Sequence, residues 1–263
     1  MIDTGRIRGV LFDYGGTIDT NGIHWSEVIW QAYQAGNVPI TKETFREVYI
    51  HGERTLGKNP IIRPHHTFLD MMRIKIEIQM EWLRSNQPPA AVIVRNESTR
   101  QDCFIPRNDD THRPLLREGT TKQSRDMIAY CYNYARASVE KARPVIEWMA
   151  SRYPLVMVTN FYGNMRSVLS DFRIDHLFPI IIESAVVGVR KPDPQIFRLG
   201  VEALQLPANE VVVIGDSYDK DILPAKTVGC QTVWLKNTGW KEYSGNETAD
   251  LIISDFAELR KWL

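Results

Sequence analysis

The sequence has few cysteines, no excess charge of either sign and no long apolar run. Its 263 residues include three cysteines, Cys103, Cys131 and Cys230, an odd and widely spaced set that does not fit a disulfide framework. The 32 lysines and arginines balance 32 aspartates and glutamates, so no overall charge favours binding to nucleic acid or to an anionic membrane. Because no apolar run reaches the ~18 residues that a membrane span needs, we expect no transmembrane helix.

The start of the chain and its composition indicate a cytoplasmic globular protein. The first residues, MIDTGRIRGVLFD, lack the basic start and apolar run of a signal peptide. Cysteine usage agrees with a reducing compartment, and Cys103 and His112 are too loosely spaced for a zinc site. With 43% hydrophobic and 24% charged residues, the chain is long enough for one large domain or two modest ones.

Six short apolar runs predict the strands of a parallel sheet. Continuous Val, Ile and Leu, rather than alternation with polar residues, is typical of strands buried on both faces. Helical patterns separate the runs, and strands that alternate with helices indicate a doubly wound, Rossmann-like α/β fold. The runs are GVLFD (9–13), LVMVTN (155–160), IIIES (180–184), VVVIGDS (211–217), QTVWL (231–235) and DLIIS (250–254), and the helical patterns cover 142–153, 164–172, 192–204 and 219–229.

The stretch from residue 20 to 138 interrupts this pattern. Candidate helices at 25–35, 42–57, 64–84 and 121–138 carry aromatic residues at helical spacing. A polar, Pro- and Arg-rich segment at 86–120 predicts an irregular insertion between them. We therefore expect an α/β core domain of residues 1–19 and 139–263, interrupted by a mostly helical cap domain of residues 20–138.

Side chains suited to phosphoryl transfer stand at the ends of several runs. Asp13 follows the first run, and a carboxylate there can attack phosphorus and form an aspartyl phosphate. Such an attack needs a divalent cation, donors for the phosphoryl oxygens and a fixed positive charge. Because the carboxyl ends of parallel strands meet at one edge of a sheet, we expect the candidates to share one site. They are Thr159 and Asn160 as donors, Lys191 as the ammonium, and Asp216 and Asp221 as oxygen ligands for Mg²⁺.

Four motifs in this order resemble the haloacid dehalogenase superfamily of hydrolases. They are DYGGTID, VTN, RKPDPQIF and GDSYDKDI, and the ending ADLIISDFAELRKWL resembles the last strand and helix of that family. The likeness covers roughly residues 6–19 and 140–263, and the helical insertion lies where the family carries its cap. It implies a Mg²⁺-dependent phosphohydrolase for a small phosphorylated metabolite. We expect a monomer or homodimer with no nucleic-acid or membrane partner.

The resemblance also implies how Mg²⁺ would be held. Asp13 would be the nucleophile and, through its other oxygen, a metal ligand. The backbone carbonyl of Gly15 and the carboxylate of Asp216 would be two further ligands, and Asp221 would act through water or from behind them.

The same resemblance implies how the phosphoryl group would be held. The hydroxyl of Thr159 and the N–H of Asn160 would hold the transferring group, and Lys191 would bridge it to the carboxylates. Asp19 matches a family position near the cap hinge, where we expect a structural role.

Gly15 departs from the family pattern. Most phosphatases of the family carry an aspartate two residues after the nucleophile, which protonates the leaving oxygen and then activates water. Glycine does neither, and general acid–base help is typically worth ~10²–10⁴-fold, so alkyl phosphates with poor leaving groups should suffer most. His24 and the pair His65–His66 are candidate replacements in the cap, although His24 also fits a helix cap and the pair a surface position. Tyr14 should face away, because neighbouring residues of an extended chain point to opposite sides.

Other functions stay open at this point. The phosphonate-cleaving branch of the family has a small residue at this position and uses a cap lysine to form an imine, for which Lys42, Lys58 and Lys75 are candidates. A slowly hydrolysed aspartyl phosphate could pass its phosphoryl group to another acceptor, as in a phosphotransferase. A chain without the acid could also be a phosphate-binding or interaction protein without turnover. The metal-independent dehalogenase branch fits less well, because carboxylates at 216 and 221 would repel Asp13 without a cation.

Overall fold

The computed structural model describes residues 1–86, 120–238, 243 and 248–263. The strands are β1 (Gly9–Phe12), β2 (Leu155–Thr159), β3 (Ile180–Glu183), β4 (Val211–Gly215), β5 (Gln231–Leu235) and β6 (Leu251–Ile253). The helices are α1 (Trp25–Ala35), α2 (Lys42–Lys58), α3 (Phe68–Asn86), α4 (Lys122–Ala150), α5 (Met165–Asp171), α6 (Ser184–Val187), α7 (Gln195–Leu204), α8 (Leu223–Val228) and α9 (Leu259–Trp262).

The six strands form one parallel sheet in the order β3-β2-β1-β4-β5-β6. The chain moves outward from β1 on one side and then crosses to build the other side, so the predicted doubly wound α/β fold is confirmed. Phe12 at the end of β1 lies beside Met157 of β2 and Ile214 of β4. The residues that follow these three strands therefore emerge at one edge, where the strand order reverses and doubly wound sheets bind ligands.

Both faces of the sheet are buried, which explains the continuous apolar runs. Val10 and Phe12 point into one hydrophobic cluster and Leu11 points into the cluster on the other face. All three side chains are fully buried. Burying each such side chain is worth roughly 1.5–3 kcal/mol, so the central strand holds the two layers of helices together.

A helical region lies between β1 and β2, as the sequence predicts. Its helices α1, α2 and α3 pack through aromatic residues, with the ring of Phe45 5.1 Å from that of Tyr33 and 5.2 Å from that of Trp30. Phe45, Tyr33 and Phe68 are fully buried, so these aromatic residues are core. The predicted insertion at 86–120, apart from its ends, and Cys103 with His112 lie outside the described residues. The domain boundaries at 19 and 139 stay predictions.

Helix α4 corrects one expectation. The sequence suggested separate helices at 121–138 and 142–153, whereas a single helix runs from Lys122 to Ala150 with Pro144 inside it. The residues between the two predicted helices continue the buried face, since Val139 and Ala142 are 1% and 3% exposed. Packing on both sides of the junction therefore keeps the chain helical.

Among the described residues, no helix is both long and apolar enough to cross a membrane. Cys131 and Cys230 are buried free thiols.

Candidate active site

Lys191 joins two carboxylates at the edge of the sheet. Its Nζ atom lies 2.7 Å from Asp13 Oδ1, just after β1, and 2.7 Å from Asp221 Oδ1, just after β4. All three residues are buried, with 6%, 4% and 2% exposure for Asp13, Lys191 and Asp221. Buried charges are tolerated only when they are paired in this way. The candidates from three distant motifs thus meet in one cluster.

Thr17 links Asp13 to the third carboxylate, Asp216. Its hydroxyl lies 3.0 Å from Asp13 Oδ2 and 3.1 Å from Asp216 Oδ1, and it accepts the N–H of Asp216 at 3.0 Å. One hydroxyl proton serves only one carboxylate at a time. Trp234 holds the same loop by donating Nε1–H to the carbonyl of Asp216 at 2.8 Å.

Two glycines let the carboxylates approach the backbone. Gly16 has a φ of +99°, and a Cβ there would lie 2.5 Å from Asp216 Oδ2. A Cβ on Gly215 would lie 2.5 Å from Cβ of Asp221. Real Cβ atoms do not come so close, so a side chain at either position would push an acidic residue out of the cluster.

The charges of the cluster fit a divalent cation. Ligand oxygens of Asp13, Asp216 and Asp221 lie within 4.8 Å of one another, and among the described residues the ion pairs of these three carboxylates are the two that Lys191 forms with Asp13 and Asp221. Burial, offset by Lys191 and reinforced by Asp221, raises the pKa of Asp13 to about 6. Burial and the two other carboxylates raise the pKa of Asp216 well above its usual value. A hard cation with oxygen ligands, such as Mg²⁺, would neutralise this excess of negative charge.

Asp221 differs from the other two carboxylates because Lys191 and a backbone N–H occupy its two oxygens, whereas the second oxygen of Asp13 shares the Thr17 hydroxyl with Asp216. Oδ1 accepts from Lys191 and Oδ2 accepts the N–H of Ser217 at 3.0 Å. The same contacts keep Lys191 protonated. Burial alone would lower the pKa of Lys191, but Asp13 and Asp221 raise it above the usual value. The lysine is therefore a fixed positive charge.

The last residue of β2 and the residue after it are the two predicted phosphoryl-binding residues, Thr159 and Asn160. Thr159 ends β2, is 1% exposed and lines the cleft beside Asp13. The side chain of Asn160 accepts the N–H of Lys191 at 2.9 Å and donates to its carbonyl at 3.0 Å. Asn160 thus ties the β2 loop to the loop that carries Lys191, a role that the sequence did not suggest.

Gly15 lines the cleft and faces open space. A Cβ at this position would meet no atom of the described residues within 4 Å. The backbone there does not require glycine, unlike that of Gly16. A Cβ can therefore be added at Gly15 without a clash with the described residues.

His24 lines the cleft from the cap side but is fixed as a neutral ring. It precedes α1, and its Nδ1 atom accepts the N–H of Ser26 at 3.2 Å. Burial, assisted by Lys220, lowers the pKa of His24 to about 4. Because Nδ1 accepts a backbone N–H, the neutral ring carries its proton on Nε2. At neutral pH this histidine can donate a hydrogen bond, but it has no second proton to give to a leaving group.

Glu53, Lys75 and Tyr162 form a polar cluster between the cap and the core. Lys75 Nζ lies 2.7 Å from Glu53 Oε1, and the hydroxyl of Tyr162 donates to Glu53 Oε2 at 3.1 Å. All three line the cleft. Although burial alone would lower it, the nearby Glu53 raises the pKa of Lys75 well above its usual value. A lysine held as an ammonium is a poor imine-forming nucleophile.

The other named candidates do not line the cleft. Neither His65 nor His66 lines the cleft, and Nδ1 of His66 accepts the N–H of Arg63. Tyr14 is fully buried against Phe161 and does not line the cleft. Among the cap lysines, Lys42 pairs with Glu27 at 2.8 Å, and Lys58 lies outside the cleft.

Asp19 is fully buried and holds the loop after β1 to α1. It accepts the N–H of Gly16 at 2.7 Å and Nε1–H of Trp25 at 2.9 Å. Burial raises the pKa of Asp19 to about 7 in spite of these donors.

Sequence reasoning missed Thr17 and the pair Glu53–Lys75. Thr17 stands in the quoted DYGGTID motif, four residues after Asp13, and this spacing could have drawn attention to it. Nothing in the sequence connects Glu53 with Lys75 and Tyr162, because Tyr162 comes from a distant part of the chain.

A family model described as "haloacid dehalogenase-like hydrolase" matches residues 7–229. The chain belongs to this family of hydrolases. Two curated relatives are a glyceraldehyde 3-phosphate phosphatase from Pyrococcus furiosus, 34% identical over 33% of this chain, and a phosphoserine phosphatase from Thermus thermophilus, 29% identical over 40%. The matches span 37% and 42% of those two proteins, which is less than half of each.

Solved structures share the fold across the whole chain. One is the magnesium-bound putative HAD-hydrolase YfnB from Bacillus subtilis, with a TM-score of 0.54 and 18% identity over 98% of this chain and 99% of that one. Another is a dehalogenase with an intermediate complex, with a TM-score of 0.59 and 14% identity over 100% and 99%. At these identities the likeness concerns the fold.

Proposed function

We propose that this hydrolase is a Mg²⁺-dependent phosphatase that acts on a small phosphorylated metabolite through an aspartyl phosphate at Asp13. The observation that carries the proposal is the buried cluster in which Lys191 contacts both Asp13 and Asp221 while Asp216 lies close by. The partial matches to two phosphatases agree with this reaction class.

The carboxylates are assigned to Mg²⁺, and the ammonium and hydroxyl groups are assigned to the phosphoryl oxygens. Asp13, Asp216 and the backbone carbonyl of Gly15 would hold Mg²⁺, which supplies positive charge against the phosphate and the carboxylates. Lys191 adds a fixed ammonium for the phosphoryl oxygens, and Thr159 adds a hydroxyl donor. Asp221, occupied by Lys191 and Ser217, positions the lysine.

In the first step, a carboxylate oxygen of Asp13 forms a bond to phosphorus as the bond from phosphorus to the leaving oxygen breaks. In the second, water attacks phosphorus and releases phosphate, which regenerates the Asp13 carboxylate. Gly15 offers no proton for the first step and no base for the second. His24 is neutral, so it does not replace that acid. Substrates with good leaving groups, such as aryl or acyl phosphates, depend least on the missing proton.

The carboxylate cluster separates this proposal from dehalogenation. Asp216 and Asp221 place excess negative charge around Asp13. Without a cation, this charge repels the Asp13 carboxylate and opposes its attack on a substrate. Lys75 argues against phosphonate cleavage through an imine, because Glu53 holds it protonated.

Phosphate binding without turnover is the second candidate, and Gly15 is the observation that favours it.

The experiment is phosphate release from a panel of phosphorylated metabolites and one aryl phosphate, with Mg²⁺ or with a chelator. Asp13→Asn, which keeps the size of the side chain, is the control. Multiple turnover that needs both Mg²⁺ and Asp13 supports the phosphatase. Release of one equivalent of the phenol with the phosphoryl group retained on the protein, or phosphate binding with no release of either product, supports the second candidate. Transfer to an added alcohol instead of water would indicate a phosphotransferase.

A further inference from the structure

A second cavity adjoins the catalytic cleft where the end of α2 meets two loops of the core. Its volume is about 330 Å³, against about 170 Å³ for the catalytic cleft. Phe161, Tyr162 and Arg190 line both spaces. These shared walls place the second cavity directly beside the catalytic cleft.

The second cavity has the opposite charge character to the catalytic cleft. Its lining contains no Asp or Glu among the described residues, but it contains Lys58 and Arg190. Both side chains are exposed. Within the described ranges, neither forms an ion pair or a side-chain hydrogen bond, in contrast to Lys75 and Lys191. Two cations without a carboxylate partner are suited to an anionic group from outside the chain.

Gly57 lines this cavity without adding a side chain to it. It lies in the last turn of α2 and lines the cavity, and a Cβ there would meet nothing within 4 Å. Glycine inside a helix costs roughly 0.5–1 kcal/mol relative to alanine. Packing among the described residues does not require glycine at this position, and a side chain there would enter the open space beside Lys58.

We propose that this cavity, the Lys58–Arg190 cavity, binds a second anionic group of the substrate, such as a carboxylate at the end remote from the transferred phosphate. The proposal rests on the proposed function, because it requires the phosphate ester to bind beside Asp13. It narrows the substrate class from any phosphorylated metabolite to one that carries a second acidic group a short chain away.

The test compares two ligands that differ only in that group. Alkyl phosphates and the matching ω-carboxyalkyl phosphates, over a series of chain lengths, are titrated into the Asp13→Asn protein with Mg²⁺ by calorimetry. At the best chain length we expect the carboxylate to improve Kd about tenfold. Lys58→Gln should reduce this gain about fivefold, as one surface charge pair is worth up to ~1 kcal/mol. Gly57→Met should abolish it by filling the cavity.

Lys141→Gln is the matched control, because it removes an exposed charge that lines neither cavity. Neither it nor Lys58→Gln should change the Kd of the plain alkyl phosphates. Equal binding of both ligand types at every chain length would overturn the second site and leave the proposed function standing. If neither type binds at any length, both proposals fail. If Gly57→Met does not fold, Lys58→Gln still decides the matter.

Discussion

Restoring an acid at Gly15 is the most informative perturbation of this site. The glycine occupies the position at which family phosphatases carry an aspartate, and the structure offers room there, since among the described residues a Cβ would meet nothing within 4 Å. The Gly15→Asp carboxyl group would join the cleft beside Asp13 and Asp216. Burial and like charges raise the pKa of such a group, which keeps part of it protonated near neutral pH, as a general acid requires.

The expected gain follows from the value of general acid catalysis. That help is typically worth ~10²–10⁴-fold, or about 3–5 kcal/mol of barrier at 1.36 kcal/mol per decade. We expect kcat for an alkyl phosphate to rise by about that factor in Gly15→Asp. For an aryl phosphate, whose leaving group needs little protonation, the first step should change less than tenfold. The difference between the two substrates, rather than either rate, is the signature.

The assay is steady-state phosphate release from both substrates under saturating Mg²⁺, with single-turnover runs to separate the two steps. Gly15→Asn is the matched control, because it fills the same space without a titratable proton and should match the wild type. Equal alkyl-phosphate rates in Gly15→Asp, Gly15→Asn and the wild type would refute the idea that a missing acid limits this enzyme. The reasoning would then have to place the replacement elsewhere in the cap.

Three further perturbations test the parts of the site separately. Lys75→Met should lower the free energy of unfolding in urea by about 1–3 kcal/mol, because it leaves the carboxylate of Glu53 without its partner. Lys75→Arg keeps the charge but cannot form an imine, and it should retain activity. Loss of activity in the arginine variant would support imine chemistry. Gly16→Ala should displace Asp216 and raise the Mg²⁺ concentration needed for activity by at least about tenfold. Gly15→Ala, the control, should leave that concentration unchanged. An unchanged Mg²⁺ requirement in Gly16→Ala would argue against Asp216 as a ligand. His24 has a folded pKa of about 4, below its ordinary 6.5, so its contribution to stability is present above pH ~6.5 and is lost as the pH falls towards 4, by at most about 3 kcal/mol. His24→Asn keeps a helix-capping side chain and should remove this acid-side loss from unfolding curves measured at several pH values; an identical pH profile would show that the ring is not held neutral.

The fold could be predicted from local patterns because its central strands are buried on both faces. Each apolar run corresponds to a strand within a residue or two, and Asp13 and Asp216 follow β1 and β4 while Thr159 ends β2. The same local reading failed for α4, where burial of Val139 on the helix face decides continuity. The periodicity of a sequence segment indicates its local secondary structure, but it does not indicate which other segments pack against it.

Only the part of the candidate site that lies in motifs at strand ends could be predicted from the sequence. That Lys191 contacts Asp13 and Asp221 could be expected from three motifs meeting at one edge. That Asn160 holds the backbone of Lys191, or that Tyr162 holds Glu53, depends on contacts between distant segments. Such contacts depend on loop conformations that turn residues alone do not specify.

The electrostatics of the site and its missing acid together limit the chemistry. Lys191 pairs with two of the three carboxylates, and Gly16 and Gly215 leave the space that lets two carboxylates approach the backbone. Burying this much like charge opposes folding, so the arrangement has a physical reason only if a cation and an anionic substrate complete it. In the proposed mechanism, the residues assigned to hold charge lie in this cluster, whereas Gly15 provides no group that could move a proton. A reaction whose leaving group departs without a proton would therefore need nothing further for its first step, while hydrolysis of the aspartyl phosphate, which also lacks its base, becomes the slower step.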